Sequence, residues 1–250
     1  MNNNDHKFRA IVTGSSGRIG NAICKKLSHY GFKVMGMDKR NQEGPSNLDS
    51  FLLVDLGSYV SNEDYAKNVL DAVEEWLADE KLTLLVNNAA IQIIENFENL
   101  ERSSWSETLK INLEAPLFLS RDLIPHFEEG KGSIINISSV HARQTKAGFL
   151  SYSISKAGLS AATKSLAIEL GKRIRVNAIE PAAILTPMLE SGMSKESLER
   201  LKLFHPQERI GTPEEIASLV LGITVGDFRF LHGACIDVSG GISNRLHDPE

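Results

Sequence analysis

The chain has 250 residues, of which 42% are hydrophobic and 24% are charged, a balance typical of a globular protein with one large core. Its net charge of -5 provides no general attraction for nucleic acid or for an anionic membrane. Cys24 and Cys235 lie far apart without zinc-site spacing, and no apolar run approaches the roughly 18 residues of a membrane span. We therefore expect a single domain over residues 1–250, soluble and cytoplasmic, without metal, nucleic acid or membrane as partners.

The first predicted unit is a strand, a turn and a helix. The apolar run Phe8–Thr13 predicts the strand, Gly14–Gly20 forms the glycine-rich turn, and helical spacing continues to Gly31. A second predicted strand ends at Asp38. Such a turn binds phosphates through backbone N–H groups at the helix N-terminus, and an acidic residue about 20 positions later binds a ribose hydroxyl. The unit therefore indicates a dinucleotide site.

The alternation continues along the chain. Further strands are predicted at residues 51–54 (buried), 82–86, 133–138, 174–179 and 234–238. Helices are predicted at 62–79, at 102–129 with a kink or break at Pro116, at 151–170 after a loop over 140–150, and from 212 to 221. This order predicts an α/β fold, a Rossmann-type doubly wound sheet of about seven parallel strands with helices on both faces. Residues 187–208 are methionine-rich and less regular, which suits a substrate lid.

Ligands of such a sheet bind beyond the carboxyl ends of its strands. The candidate residues at these ends are Gly14, Asp38, Asp55, Asn88, Ser139 and Thr186.

Tyr152 and Lys156 lie four residues apart on a predicted helix and project from one face. A free tyrosine has a pKa of about 10, and lowering it by roughly 3 units needs about 4 kcal/mol. One lysine near the surface does not supply this energy, whereas a lysine together with a cationic cofactor in a closed site does. The pair therefore predicts acid/base chemistry assisted by a cofactor.

Taken together, these residues resemble the short-chain dehydrogenase/reductase family over nearly the whole chain. The family turn Thr-Gly-x-x-x-Gly-x-Gly is similar to Thr13–Gly20, and the Asn-Asn-Ala-Gly strand end to Asn87–Ala90. The helix asparagine, the serine and the Tyr-x-x-x-Lys motif are matched by Asn112, Ser139, Tyr152 and Lys156. The order of the whole set carries the resemblance.

The resemblance implies a role for each of these residues. Tyr152 is the general acid/base, Ser139 holds the substrate oxygen, Lys156 binds the nicotinamide ribose and lowers the tyrosine pKa, and Asn112 supports a water relay. The implied reaction transfers a hydride between NAD(H) and a small alcohol or carbonyl compound. The alternative is a dinucleotide-binding sensor or scaffold of the same fold without turnover.

Cofactor contacts are expected along both halves of the predicted sheet. They are Gly14, Ser16, Gly17, Arg18, Ile19, Gly20, Asp38, Asp55, Leu56, Asn88, Ala89, Ala90, Tyr152, Lys156, Pro181, Ile184 and Thr186. The Asp38 carboxylate repels a 2′-phosphate, so NAD is preferred. Arg18, Lys39 and Arg40 are basic residues able to pair with that phosphate, which leaves NADP open.

Three residues depart from the family pattern. Arg18 stands where the family usually has the second turn glycine, Ala90 replaces the last glycine of Asn-Asn-Ala-Gly, and Ala182 replaces the glycine after Pro181. Each alanine adds a methyl group near the nicotinamide ring or its ribose. None of the three changes removes a predicted catalytic group.

The substrate contacts are predicted at Ser139, His141, Gln144 and Tyr152. With Arg143, the residues that follow the serine suit a polar or anionic substrate, the alternative being a solvated loop. The resemblance also implies a homotetramer, or a homodimer, formed through the helices that hold Asn112 and Tyr152 and through the C-terminal strand.

Overall fold

A computed structural model describes residues 8–40, 48–186, 189 and 193–246. Its centre is a sheet of seven parallel strands in the order β3-β2-β1-β4-β5-β6-β7. The strands are β1 (Phe8–Thr13), β2 (Phe32–Asp38), β3 (Ser50–Leu53), β4 (Leu84–Asn87), β5 (Gly132–Ile137), β6 (Ile174–Pro181) and β7 (Cys235–Val238). The predicted doubly wound fold is thereby confirmed.

Helices cover both faces of this sheet. They are α1 (Arg18–Tyr30), α2 (Leu56–Ser61), α3 (Glu63–Leu77), α4 (Arg102–Leu109), α5 (Ala115–Leu123), α6 (Leu150–Leu170), α7 (Lys195–Phe204) and α8 (Pro213–Val225). A π-helical segment, Lys110–Glu114, joins α4 to α5. Single 3-10 turns lie at Phe97–Asn99, Ile124–His126, Val140–Ala142 and Ile242–Asn244.

The strands are apolar on both faces because each face supports its own core. Along β1, Ala10 and Val12 point into the core under α1 and α8, whereas Ile11 points into the core under α3 and α5. Successive side chains of a strand alternate between faces, so a continuous apolar run serves both cores. The strand order changes direction between β1 and β4, which creates the crevice where such sheets bind ligands.

The third strand differs from its prediction. It lies at the edge of the sheet, and Leu53 is 55% exposed, so the expectation of a buried strand at residues 51–54 is wrong. An apolar run alone does not distinguish an edge strand from a central one. The short helix α2 was also not predicted, although Asp55 accepts a hydrogen bond from Ser58 N at 2.7 Å and caps it.

The predicted long helix over residues 102–129 is divided at the place that Pro116 indicated. The ring of Pro116 lies in the first turn of α5, where its missing N–H is tolerated. The irregularity extends into the preceding π-helical segment, whose central residue is Asn112. The sequence therefore predicted the break correctly but not its π-helical form.

The predicted lid at residues 187–208 falls partly on 187, 188 and 190–192, which lie outside the described residues. The expectation of little regular structure is wrong for its second half, which forms α7. Ser194 caps this helix by accepting a hydrogen bond from Ser197 N at 3.1 Å. Closure of this segment over a substrate stays a prediction.

Candidate active site

The turn between β1 and α1 brings the backbone against the end of β4. Gly14 has a φ of +63°, and a Cβ at this position would lie 2.8 Å from Ala89 Cα. A Cβ at Gly20 would lie 2.1 Å from the carbonyl oxygen of Gly14. Both positions therefore need glycine, the first for its backbone conformation and the second for close packing of the helix on the turn.

The residues of this turn fit a phosphate-bearing cofactor. Gly17 is the N-cap of α1, and Arg18, which is exposed, and Ile19 are its first residues. The hydroxyl groups of Ser15 and Ser16 are buried without a hydrogen-bond partner within the described part of the chain. Because a helix N-terminus favours anions, two unpaired donors beside it suit a pyrophosphate.

Thr13 and Asn88 fasten the turn to the end of β4. Thr13 Oγ1 accepts hydrogen bonds from the backbone N–H groups of Asn88, at 3.0 Å, and Ala89, at 3.1 Å. In return, Asn88 Nδ2 donates to the carbonyl oxygens of Thr13, at 3.0 Å, and Gly14, at 3.1 Å. These four bonds fix the width of the crevice between β1 and β4.

Asp38 lies beside the turn and is only 7% exposed. Its Oδ2 accepts a hydrogen bond from Ser16 N at 3.1 Å, and its Oδ1 accepts one from Arg40 N at 3.1 Å. Arg40 Nε lies 3.6 Å from Oδ1. A carboxylate fixed at this position has the placement of a ribose ligand, and its charge opposes a second phosphate there.

The other predicted cofactor residues lie along the same edge of the sheet. Asp55 and Leu56 are the N-cap and first residue of α2, and Ala90 follows the end of β4. Pro181 ends β6, Ile184 is buried beyond it, and Thr186 precedes the residues that are not described.

Tyr152, Ser139 and Lys156 meet at the ends of β5 and α6. The Ser139 side chain lies next to the Tyr152 hydroxyl, and Ser139 Oγ accepts a hydrogen bond from His141 N at 3.2 Å. Lys156 is 2% exposed, and its Nζ donates to the carbonyl oxygen of Ile137 at 2.8 Å. Its Nζ lies 5.8 Å from the centroid of the Tyr152 ring. The phenol thus has a hydroxyl partner on one side and an amine below it.

Asn112 is fully buried and joins the π-helical segment to two neighbouring elements. Its Oδ1 accepts a hydrogen bond from Ile91 N at 2.8 Å, and its Nδ2 donates to Ile91 O at 2.8 Å. The same amide donates to Ser155 Oγ at 3.1 Å, and Ser155 Oγ donates to Tyr152 O at 2.7 Å. Asn112 therefore connects the loop after β4 with the helix that carries Tyr152.

The rings of His141 and Phe149 form an aromatic wall beside Tyr152. The His141 ring stacks on Phe149 with centroids 4.6 Å apart, and both rings meet Tyr152 edge-on, at 5.7 and 6.3 Å. His141 Nδ1 hydrogen-bonds to Thr145 Oγ1 at 3.0 Å. His141 is thereby held next to the Tyr152 ring.

Gln144 and Arg143 have partners within the protein. Gln144 Nε2 donates to Ser243 O at 2.6 Å, and Arg143 NH2 donates to Cys235 O at 2.8 Å. Gln144 would have to leave Ser243 in order to bind a substrate through its amide nitrogen. The site residues predicted from the sequence lie along one edge of the sheet, and their roles stay predictions.

Neither a metal centre nor a membrane span is formed by the described residues. No group of three or more His, Cys, Asp or Glu side chains among them is arranged to hold a metal ion. None of the helices in that part of the chain has the length and apolar character needed to cross a membrane.

Comparison with known proteins identifies the family. A family model described as enoyl-(acyl carrier protein) reductase matches residues 14–243. Acetoacetyl-CoA reductase of Cupriavidus necator is 31% identical over 241 residues, which cover 93% of this chain and 97% of that protein. The chain belongs to the short-chain dehydrogenase/reductase family. It is an oxidoreductase of a family that uses NAD(H) or NADP(H).

Solved structures of this short-chain dehydrogenase/reductase fold superpose over almost the full chain. Ligand-free aldohexose dehydrogenase of Thermoplasma acidophilum gives a TM-score of 0.86 at 30% identity, covering 98% of each chain. 4-Hydroxyisoleucine dehydrogenase complexed with NADH gives 0.84 at 25% identity, covering 96% of this chain and 100% of that one.

Burial shifts the ionisable groups of this short-chain dehydrogenase/reductase site. Desolvation raises the pKa of Tyr152, and the hydrogen bond from Ser139 opposes that rise. Desolvation lowers the pKa of Lys156 to about 7. Desolvation, with a smaller contribution from the Lys146 charge, lowers the pKa of His141 to about 4. His141 is therefore neutral at physiological pH.

Several site residues were not singled out from the sequence. Thr13 fixes the crevice, Phe149 forms part of the aromatic wall, and Ser155 connects Asn112 to the Tyr152 helix. Glu180, directly before Pro181, is a buried carboxylate beside Arg143. The position of Thr13 at the end of β1 was the one available sequence signal, since the other contacts join distant segments.

Proposed function

We propose that this oxidoreductase transfers a hydride between NAD(H) and a small alcohol or carbonyl substrate, with Tyr152 as general acid/base. The observation that carries the proposal is that Ser139 and the buried Lys156 amine both lie beside the Tyr152 phenol. A phenol that is held at a substrate oxygen moves the proton that must accompany hydride transfer.

Each side chain has a defined task in the proposed reaction. During alcohol oxidation, Ser139 donates a hydrogen bond to the substrate oxygen while Tyr152 takes the hydroxyl proton. In the reverse direction, Tyr152 returns a proton to that oxygen. Lys156, 5.8 Å from the phenol ring, orients the phenol and passes the proton on, and Asn112 supports the water relay from Lys156 to solvent. Bound NAD supplies the hydride acceptor and the positive ring charge that stabilises the phenolate.

NAD is the proposed cofactor because Asp38 occupies the position beside the turn. Its carboxylate is fixed by Ser16 N and Arg40 N and is almost fully buried. A carboxylate held at this position repels the 2′-phosphate of NADP. The proposed holders of the cofactor are the turn residues Gly14–Gly20, together with Asp38 and Asn88.

The substrate pocket is proposed to lie above Ser139 and Tyr152, against His141. Because His141 is neutral, its ring offers a hydrogen bond without a charge. An alcohol, a sugar or a ketone suits this wall. Cytoplasmic localisation is proposed on the two free thiols, Cys24 and Cys235, which fit a reducing compartment.

A two-step experiment tests the proposed function. NADH and NADPH are titrated separately while the nicotinamide fluorescence is followed, and tighter binding of NADH is expected. Polyols, sugars, hydroxy acids and acyl thioesters are then screened with the bound cofactor for the change in nicotinamide absorbance. Turnover of at least one class is expected. Preference for NADPH would contradict the role of Asp38, and binding without any turnover favours the sensor or scaffold.

A further inference from the structure

Glu180 is a buried carboxylate at the end of β6, outside the set of residues proposed to touch substrate or cofactor. Its side chain is 2% exposed, and its Oε2 forms an ion pair with Arg143 NH2 at 2.6 Å, without the geometry of a hydrogen bond. Ser160 Oγ donates to its Oε1 at 2.7 Å. A buried carboxylate needs such partners because it has lost its hydration.

The partners of Glu180 belong to the segments that carry the catalytic groups. Ser160 lies one helical turn after Lys156 on α6, and its Oγ is 2.8 Å from Ser138 Oγ. Ser138 directly precedes Ser139 and donates to the carbonyl oxygen of Lys156 at 3.0 Å. Glu180 is therefore linked to the end of β5 and to the helix that carries Tyr152.

Arg143 adds the third segment. It lies in the loop between Ser139 and the helix α6, two residues after His141, and it donates to Cys235 O on β7 at 2.8 Å. The Glu180 and Cys235 contacts hold this loop against β6 and β7. Residues 143–147 of the loop are exposed, and the bond from Gln144 Nε2 to Ser243 O is a further contact of the loop with the C-terminal segment.

We infer that Glu180 and Arg143 are positioning residues, which hold the loop of Ser139 and His141 in register with Tyr152. This inference rests on the proposed function. The Arg143 side chain is 49% exposed, and a solvent-exposed ion pair contributes little stability, so stability alone does not account for the pair. The positioning of reacting groups accounts for the pair, because a displacement of about 1 Å at a reacting centre lowers the rate about 100-fold.

The competing interpretation is that Arg143 binds an anionic substrate. The two interpretations differ in kinetics. If the Arg143 guanidinium binds the substrate, its removal raises KM, and it does so for anionic substrates. If the guanidinium positions the loop, its removal lowers kcat for every substrate.

The experiment compares three variants with the wild-type protein. Arg143→Met removes the charge above Glu180, and Glu180→Gln keeps an acceptor for Ser160 while removing the carboxylate charge. Arg209→Met is the matched control, because Arg209 NH2 lies 2.6 Å from Glu215 Oε1 and is equally half-exposed, but Glu215 is 43% exposed. Arg143→Lys keeps the charge and tests whether an ammonium group replaces the guanidinium if the other variants fold poorly.

The measurements are kcat and KM with a substrate found by the screen, NADH affinity, and hydrogen exchange of the backbone amides in residues 140–149. For Arg143→Met and Glu180→Gln, we expect kcat to fall by about 10- to 100-fold with KM and NADH affinity within about threefold. We expect faster exchange in the loop, a smaller loss in Arg143→Lys and no change in Arg209→Met.

Two results would overturn the inference. One is a raised KM with an unchanged kcat in Arg143→Met, and the other is unchanged loop exchange in Arg143→Met and Glu180→Gln. The exchange measurement needs no substrate. A wild-type protein without turnover therefore refutes the proposed function separately, while the dependence of the loop on Glu180 is still tested.

Discussion

Tyr152 and Lys156 illustrate what a sequence pattern predicts about a pair of side chains and what it misses. Their spacing on α6 was predicted correctly, since both lie in one continuous helix. The sequence pattern also predicted a charged Lys156 that lowers the pKa of the phenol. Burial raises the pKa of Tyr152 and lowers that of Lys156, so both groups favour their neutral forms in the protein without cofactor.

The raised pKa of Tyr152 and the lowered pKa of Lys156 strengthen the requirement for a second positive charge near the phenol. Burial lowers the pKa of Lys156 from 10.5 to about 7, which corresponds to about 5 kcal/mol against the protonated amine. A half-charged amine contributes less to the phenolate than a fully charged one. The cofactor thus has a larger part in the proposed activation of Tyr152 than the sequence indicated.

The lowered pKa of Lys156 predicts how the stability of the protein depends on pH. An unfolded lysine keeps its proton up to a pH of about 10.5, whereas folded Lys156 loses it above about 7. The unfolded state therefore binds more protons between these values, and rising pH stabilises the folded state. In this window, we expect the free energy of unfolding of the wild-type protein to increase relative to Lys156→Met by about 1 kcal/mol per pH unit.

Urea titrations of both cofactor-free proteins at pH 7.5, 8.5 and 9.5 measure this difference. A matched Lys164→Met variant removes an exposed lysine of the same helix. Its free energy of unfolding is expected to change with pH in the same way as that of the wild-type protein. If the wild-type protein and Lys156→Met keep a constant difference across the three pH values, the lowered pKa of Lys156 is wrong.

At the scale of helices and strands, the features that local sequence patterns determine were predicted. The features that depend on contacts between distant residues were not. Gly31 and Gly171 end α1 and α6 as expected, and Pro116 marked the break in the helix before it. The exposure of β3 depends on its place at the sheet edge, which no local pattern contains. The π-helical segment depends on Asn112 reaching Ile91, a contact between residues that lie 21 positions apart.

Asn112 therefore has a structural role that can be measured separately from any proton relay. Asn112→Leu keeps the shape of the side chain but leaves both Ile91 backbone groups without their partner. Since each unsatisfied buried group costs about 1–3 kcal/mol, and Ile91 is only partly buried, we expect the free energy of unfolding to fall by about 2 kcal/mol.

Chemical denaturation measures this loss. Asn62→Ala, which removes the exposed N-cap contact to Tyr65 N, is a comparison expected to cost about 1 kcal/mol. An Asn112→Leu variant as stable as the wild-type protein would show that Ile91 finds other partners.

At the scale of the molecule, the order of strands in the sheet brings together site residues that are far apart in the sequence. Gly14, Asp38, Asn88 and Ser139 lie at the carboxyl ends of four different strands, and the parallel order places all four at one edge of the sheet. This part of the site was predictable because strand-end positions are set by topology. The pairing of Arg143 with Glu180 was not predictable, because no sequence pattern relates these two positions.

The surface carries an apolar stripe that favours assembly. Ile154, Ala161 and Ile168 are exposed on α6 at spacings of seven residues, so they share one face of the helix. Ile168 is 82% exposed. Phe230, before β7, is fully exposed as well. An unpaired apolar face of this kind is typical of an interface between subunits.

We therefore predict that the protein is a homotetramer or a homodimer and that Ile168→Glu shifts it to a smaller species. A charge in an apolar interface must be desolvated, which weakens association. Sedimentation velocity measures the mass of each species. Leu53→Glu, at the exposed edge strand β3, is the matched control and is expected to leave the mass unchanged. A monomeric wild-type protein would contradict the assembly.

The role of Tyr152 is tested most directly by Tyr152→Phe, which removes one oxygen and keeps the ring in the aromatic wall. Wild type and variant are compared for NADH affinity and for turnover of the same substrate at about pH 8, near neutrality, where free tyrosine stays protonated. We predict NADH affinity within about twofold and a loss of kcat of at least about 100-fold, the lower bound for a general acid/base. Turnover within a few-fold of the wild-type rate would contradict the proposed role of Tyr152 in proton transfer.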